Sequence, residues 1–211
     1  DNQSTERMSY GVVESFKLSG AAQEAIRMSA SWFGREVTGG TFASVTVPEV
    51  ETILFQKARL FIDDPGSIGT TEVSQTLVGF TLDIKTGLIP VFTGSGNLYF
   101  DALGYSEDGF SGTLEITFLH NASAVSEKTA WRNHTARAIQ IKVTGNALTT
   151  GGTTYQNKTL VINCYGRWEK FDKIGVKDGN DIVTGTLRLG YDPVAATMGS
   201  IVVVNELTSL P

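Results

Sequence analysis

Apolar and polar side chains alternate with a period of two along much of this chain. That pattern commits it to strands with one buried and one wetted face, because a helix would need a period near 3.6. The alternation is clearest where Ile139, Ile141 and Val143 interleave with Gln140, Lys142 and Thr144, and where Leu114, Ile116 and Phe118 interleave with Thr113, Glu115 and Thr117. Similar patterns predict strands at 12–18, 24–33, 53–63, 77–84, 97–103, 158–168, 182–191 and 200–205. The breaks between them carry turn chemistry: Thr38-Gly39-Gly40, Asp64-Pro65-Gly66, Asp108-Gly109, Gly151-Gly152, Asp178-Gly179 and Asp192-Pro193. Many short strands joined by such turns favour an antiparallel β-sandwich or barrel over a parallel sheet with crossover helices.

One segment reads as helical. Ser123 is placed to cap a helix running to about Asn133, with Glu127 in its first turn and Arg132 and His134 near its end, as the helix dipole prefers. Ala124 and Trp131 fall on one side of it, so it should lie against the sheet. The segment 35–52, rich in Gly, Thr and Val and containing Pro48, reads as a long loop or arm, and 86–96 as a second irregular stretch. Loops of this length in a compact domain usually serve function or contacts. No linker or charge run forces a boundary, so residues 1–211 are expected to form a single domain. The chain opens at Asp1 and enters a strand pattern at Val12, from which further N-terminal sequence is expected to precede it.

A length of 211 residues with 41% hydrophobic residues suffices for a substantial core. No run approaches the roughly 20 apolar residues of a membrane-spanning helix, and a soluble protein is expected. Cys164 is the lone cysteine, so no internal disulfide is available. The balance of 17 basic against 22 acidic residues gives a net charge of -5, which disfavours a grip on a phosphate backbone. The same charge suits a surface along which DNA slides without sticking.

Chemistry-bearing motifs are sparse. There is no G-x-S-x-G, and His120 and His134 bracket the helix without a nucleophile beside them. One cysteine and two separated histidines do not make a zinc site. Cys164 shares a strand face with Leu160, Ile162 and Trp168 and reads as a small buried apolar residue. Asp178 and Asp181 around Gly179 lack calcium-loop spacing and read as a turn. Gly94-Ser95-Gly96 precedes a strand rather than a helix, the wrong context for a pyrophosphate. The sequons at Asn121, Asn133 and Asn157 have no visible secretory route. Glu49 with Glu51, and Glu107 with Asp108, read as solvated carboxylates, and Tyr165, Arg167 and Trp168 form one short cluster rather than a basic groove. No catalytic, cofactor-binding or metal-binding residue is assigned, and a non-enzymatic protein is expected.

Several segments together resemble the major tail tube proteins of long-tailed, siphovirus-like bacteriophages. They are YGVVESFKLSG at Tyr10–Gly20 followed by AIRMSASWFGR at Ala25–Arg35, FTLDIKTGLIP at Phe80–Pro90, and the helix-then-strand element AWRNHTARAIQIKVTG at Ala130–Gly145. After them come a hairpin, the strand from Thr159 to Trp168, a charged loop and two closing strands. The resemblance implies a tail-tube-like β-sandwich with one flanking helix, assembling as a homo-oligomer of stacked hexameric rings into a tube through which DNA is ejected. It implies a structural virion protein, put together in the bacterial host cytoplasm, meeting other tail proteins at the tube ends. DNA would pass through the lumen without specific binding, and no membrane is involved. Edges of the sheet would pair between subunits. The polar faces carrying Gln140, Lys142, Thr144, Thr184, Thr186 and Arg188 would then coat the lumen or the exterior, and the arm at 35–52 would reach a neighbour. An alternative is a carbohydrate-binding β-sandwich module of a phage or bacterial surface protein, with Trp32, Trp131, Trp168 and the six tyrosines as a stacking platform.

Overall fold

A computed structural model describes residues 5–41 and 51–207 of the chain. Its strands are β1 (Glu6–Ser9), β2 (Val12–Ala21), β3 (Arg27–Phe33), β4 (Glu36–Gly39), β5 (Ala58–Asp63), β6 (Leu77–Lys85), β7 (Leu88–Val91), β8 (Ala102–Tyr105), β9 (Ser111–Leu119), β10 (Ala136–Ala147), β11 (Asn157–Phe171), β12 (Gly175–Lys177), β13 (Asn180–Leu189) and β14 (Gly199–Val204). Among the described residues, one α-helix, α1 (Ala122–Arg132), and one 3-10 turn at Phe55–Lys57 complete the set. The fold is mainly β, with antiparallel ladders, as the alternation predicts.

The chain divides into two compact units. The smaller comprises Asp1–Leu18, Met28–Val50 and Asp83–Gly112, and the larger Ser19–Arg27, Glu51–Leu82 and Thr113–Pro211. In the smaller unit β1 pairs with β4 and β7 with β8, both antiparallel. Phe33 meets Phe100 edge to face with ring centroids 5.8 Å apart, and Arg35 donates from Nε to the Phe100 carbonyl at 3.0 Å. The Arg35 guanidinium also lies over the rings of Tyr10 and Tyr99, 5.3 and 4.6 Å from their centroids. This cation–π bracket ties together segments of a unit in which, among the described residues, only Leu18 and Phe100 are buried apolar side chains.

In the larger unit the sheet runs β9–β13–β11–β10–β5, with β12 on β13 and β14 on β11. Its fifteen-residue strand β11 is the spine. β10 lies along one side of it from Ala136 to Ala147, while β14 and β13 share the other side in succession. The core is a set of cross-strand rows on one face. Leu60, Ile141 and Ile162 form one row, Val143 and Leu160 belong to the next, and all five are at most 6% exposed. Each such side chain contributes about 1.5–3 kcal/mol of burial.

Trp168, Phe171 and Phe118 cluster with centroids 5.1 to 6.3 Å apart. Helix α1 is clamped by its buried Glu127, which accepts from Trp168 Nε1 at 2.8 Å and Arg137 Nε at 3.0 Å. The opposite face carries a polar ladder in which Gln140 donates to Asn163 at 2.9 Å and Asn163 to Ser200 at 3.0 Å.

The helix begins two residues earlier than the sequence suggests. Asn121 rather than Ser123 is the cap, its Oδ1 accepting from the N–H groups of Ser123 and Ala124, so Ser123 is already inside the first turn. The strand predicted at 24–33 starts at Arg27, and Ala25 makes only an isolated bridge to Leu54. The strand predicted at 53–63 starts at Ala58, because Phe55 turns inward to stack on Phe80. The strand predicted at 97–103 is displaced to β8, since Asp101 draws residues 93–97 into a hydrogen-bonded loop. Two stretches read as irregular contain strands, β7 within 86–96 and β4 within 35–52, and Thr38-Gly39 belongs to β4 rather than to a turn. Residues 42–50 of the expected arm lie outside the described residues.

A candidate assembly surface

The register between β11 and β14 fixes which backbone groups of β14 face outward. The ladder pairs Cys164 with Gly199, Ile162 with Ile201 and Leu160 with Val203. One step beyond it, Tyr165 donates its N–H to the Met198 carbonyl at 3.1 Å, which marks that position as a hydrogen-bonded pair. Antiparallel pairs alternate, so Ser200, Val202 and Val204 bond inward to β11, and Gly199, Ile201 and Val203 point their N–H and C=O groups away from it. Gly199 is satisfied locally by the Thr197 hydroxyl, which donates to its carbonyl at 2.9 Å and accepts from its N–H at 3.2 Å. Ile201 and Val203 have no backbone partner on that side among the described residues.

The side chains of the same two residues continue the core. Along the row Leu60–Ile141–Ile162–Ile201 exposure runs 2%, 0%, 1% and then 37%, and Val203, at the end of the row through Val143 and Leu160, is 60% exposed. Backbone and side chains therefore end at one place, where an unguarded β-branched strand closes the sheet. The β5 side is different. There Ile62 donates to Thr71, Val73 donates to Leu60, and Glu72 bridges to Phe61 while its carboxylate pairs with Arg59, so the chain covers its own edge. The far end of β14 is pinned by Glu206, which accepts from the Thr149 N–H and hydroxyl at 2.6 Å each and from Lys158 at 3.2 Å. Those bonds, the Thr149 hydroxyl foremost, lower its carboxyl to about 2.

The smaller unit also presents apolar side chains to solvent: Met28, Trp32, Phe92 and Tyr105 are each exposed, and Leu98 is 100% exposed. Leu98 sits in the loop that Asp101 organises by accepting from the Thr93 N–H and hydroxyl, the Ser95 hydroxyl and the Asn97 amide. Those bonds hold Asp101 far below the usual carboxylate range.

The residues weighed from sequence for chemistry are dispersed into structural tasks. The His120 N–H donates to Asp181, and His134 closes the helix in a left-handed conformation with φ 52°. Cys164 is buried, which raises its thiol to about 12. Asp178 and Gly179 form the two-residue turn between β12 and β13, with φ of 51° and 77° as a type I′ hairpin requires. Gly94-Ser95-Gly96 belongs to the Asp101 loop. Asn121 and Asn133 cap α1, and the Asn157 side chain bonds the Gly145 carbonyl. Glu51 accepts from the Asn146 N–H and pairs with Lys57, Glu49 lies outside the described residues, and Glu107 and Asp108 lie in the turn closed by Gly109 and Ser106. Trp168 is buried and Trp131 bonds the Glu169 carbonyl, leaving Trp32 as the exposed tryptophan. Among the described residues no cluster of His, Cys, Asp and Glu is arranged to hold a metal ion, and no helix is long and apolar enough to cross a membrane. No protein-family model matches the chain and no curated protein matches it.

Proposed function

We propose that the chain is a structural subunit whose task is to join copies of itself through its sheet margin into rings and a tube, in the manner the sequence resemblance to phage tail tube proteins implies. The observation that carries this reading is the coincidence on β14 of outward backbone groups and an unfinished core row. A strand from a neighbour satisfies both at once, hydrogen-bonding Ile201 and Val203 and covering their side chains. A soluble monomer gains nothing from leaving such a margin bare, and an assembly converts it into a bond. The exposed apolar residues of the smaller unit offer further area for contact. A net charge of -5 is compatible with a conduit that DNA traverses without adhering.

The test is electron microscopy and sedimentation velocity of the purified chain over a concentration series. Rings or tubes growing in with concentration are the expected result. A monomer persisting at every concentration, with no ordered particle in negative stain, removes the proposal. The carbohydrate reading requires a platform of exposed rings, and the burial of Trp168 beneath α1 weighs against one built on the three tryptophans.

A further inference from the structure

We propose that Arg167 and Arg188 form the mouth of a binding site for an oxyanion of the phosphate class, set in a groove where the start of β10, the middle of β11 and the end of β13 meet. The two arginines are directly opposed across the β11–β13 ladder and both are exposed. Like charges placed opposite each other in a sheet destabilise it. Among the described residues neither has a carboxylate within ion-pair distance, whereas Arg59 is matched by Glu72, and Arg137 by Glu127 and Asp64. Glu115 is paired with Thr186, two residues before Arg188 on the same strand face, and Glu169 sits at the bulge beyond Arg167; neither closes a bridge to the arginines.

The backbone holds this unfavourable pair in place. A Cβ on Gly166 would lie 2.0 Å from the Arg188 carbonyl oxygen, so β13 packs against β11 at a distance only glycine allows. Beside the arginines opens a groove of about 520 Å³ lined by Tyr165, Ala136 and the segment 190–194. Its roof is rigid, since the Asp192 N–H donates to Thr197 and its Oδ1 accepts from the N–H groups of Val194 and Ala195. Asp192 Oδ1 is held by its own loop, while the carboxylate charge still reaches Tyr165 on the groove wall. Burial, and then the charge of Asp192, raise the Tyr165 phenol above its ordinary value.

Two guanidiniums with forked donors match an anion that carries two charges and several acceptor oxygens, as a phosphate monoester or inorganic phosphate does. Chloride supplies neither. Bridging by such an anion turns the repulsion between the arginines into two charge-assisted contacts. The site is independent of subunit assembly, because every residue in it belongs to the larger unit of one chain.

The test uses the whole chain in low-salt buffer free of phosphate, titrated with inorganic phosphate and, separately, with sodium chloride at matched ionic strength. Phosphate is expected to raise the thermal midpoint saturably and to shift the backbone amide resonances of Gly166 and Gly190, with chloride doing neither. Arg167→Gln and Arg188→Gln should each move half-saturation at least about tenfold to higher phosphate, the equivalent of one charge-assisted bond. Without phosphate neither substitution should lower the midpoint. A phosphate effect matched by chloride, a shift surviving in the doubly substituted chain, or amide changes in the wild-type chain that bypass Gly166 and Gly190 would each overturn the assignment.

Discussion

Replacing Val203 by lysine places a charge on the exposed margin of β14 while leaving the inward-bonding residues of that strand untouched. Full burial of a valine or isoleucine side chain contributes about 2 kcal/mol. With 60% of Val203 and 37% of Ile201 exposed in the single chain, the share left for a neighbour to cover is about 1.2 and about 0.7 kcal/mol, together about 2 kcal/mol per interface. At 1.4 kcal/mol per decade this corresponds to about 30-fold in the association constant at each contact. Val203→Lys forfeits the larger part and adds the cost of desolvating an ammonium group, so the concentration needed for assembly should rise by more than about eightfold. The folded monomer loses only the portion of Val203 already covered, about 0.8 kcal/mol. Sedimentation velocity over a concentration series reads the first quantity and a urea denaturation curve the second. If the lysine variant associates at the same concentration as the parent while folding as well, β14 is not the joining edge. If the parent itself never associates, the self-assembly reading fails as a whole.

Glu127→Ala should cost about 3 kcal/mol in urea denaturation, because it leaves the largely buried Arg137 guanidinium without its buried carboxylate partner and Trp168 Nε1 without an acceptor; a loss under 1 kcal/mol would show that the exposed Asp64 alone suffices. Thr186→Val should raise stability by about 1 kcal/mol, since the Thr186 hydroxyl is buried with no partner among the described residues and valine keeps its shape; destabilisation would reveal a missing partner. The Glu206 carboxyl is depressed to about 2 against roughly 4.3 for an unfolded chain. Its anchoring of the β14 end is therefore complete above the unfolded value and disappears as pH falls from about 4.3 through about 2. Hydrogen exchange at Val202 and Val204, corrected for intrinsic rates, should accelerate across that interval, and the same profile in Glu206→Gln would refute the link.

Much of this fold could be read from residue order where strands are half buried. Leu114, Ile116 and Phe118 alternate because β9 has one face in the core, and β10 reads clearly for the same reason. The alternation misleads at 97–103, where Leu98 and Phe100 mimic a strand although one is fully exposed and the other buried. The competing influence is Asp101, whose four accepted hydrogen bonds hold the loop and whose partners are scattered over residues no periodicity marks. β1 and β4 escaped because short, exposed strands have no apolar rhythm. The candidate joining edge was invisible for a different reason. Ile201-Val202-Val203-Val204 looks like a strand buried on both faces, and nothing in one-dimensional order reveals that a neighbour stands on one side of it alone. The opposed arginines likewise become visible only once the bulge between Trp168 and Lys170 sets the register of β11 on β13.

The division of one flank of β11 between β14 and β13 has a mechanical consequence. β14 holds only the stretch from Thr159 to Cys164, and β13 takes over at Gly166, so β14 can peel away without unzipping the β11–β13 ladder. The groove it vacates is templated by β11 for any segment of the same length and pattern. If copies join as proposed, a subunit could thus lend β14 to a neighbour and receive one in return, and the linkage between units would then be set by an exchange equilibrium as well as by contact at a fixed edge.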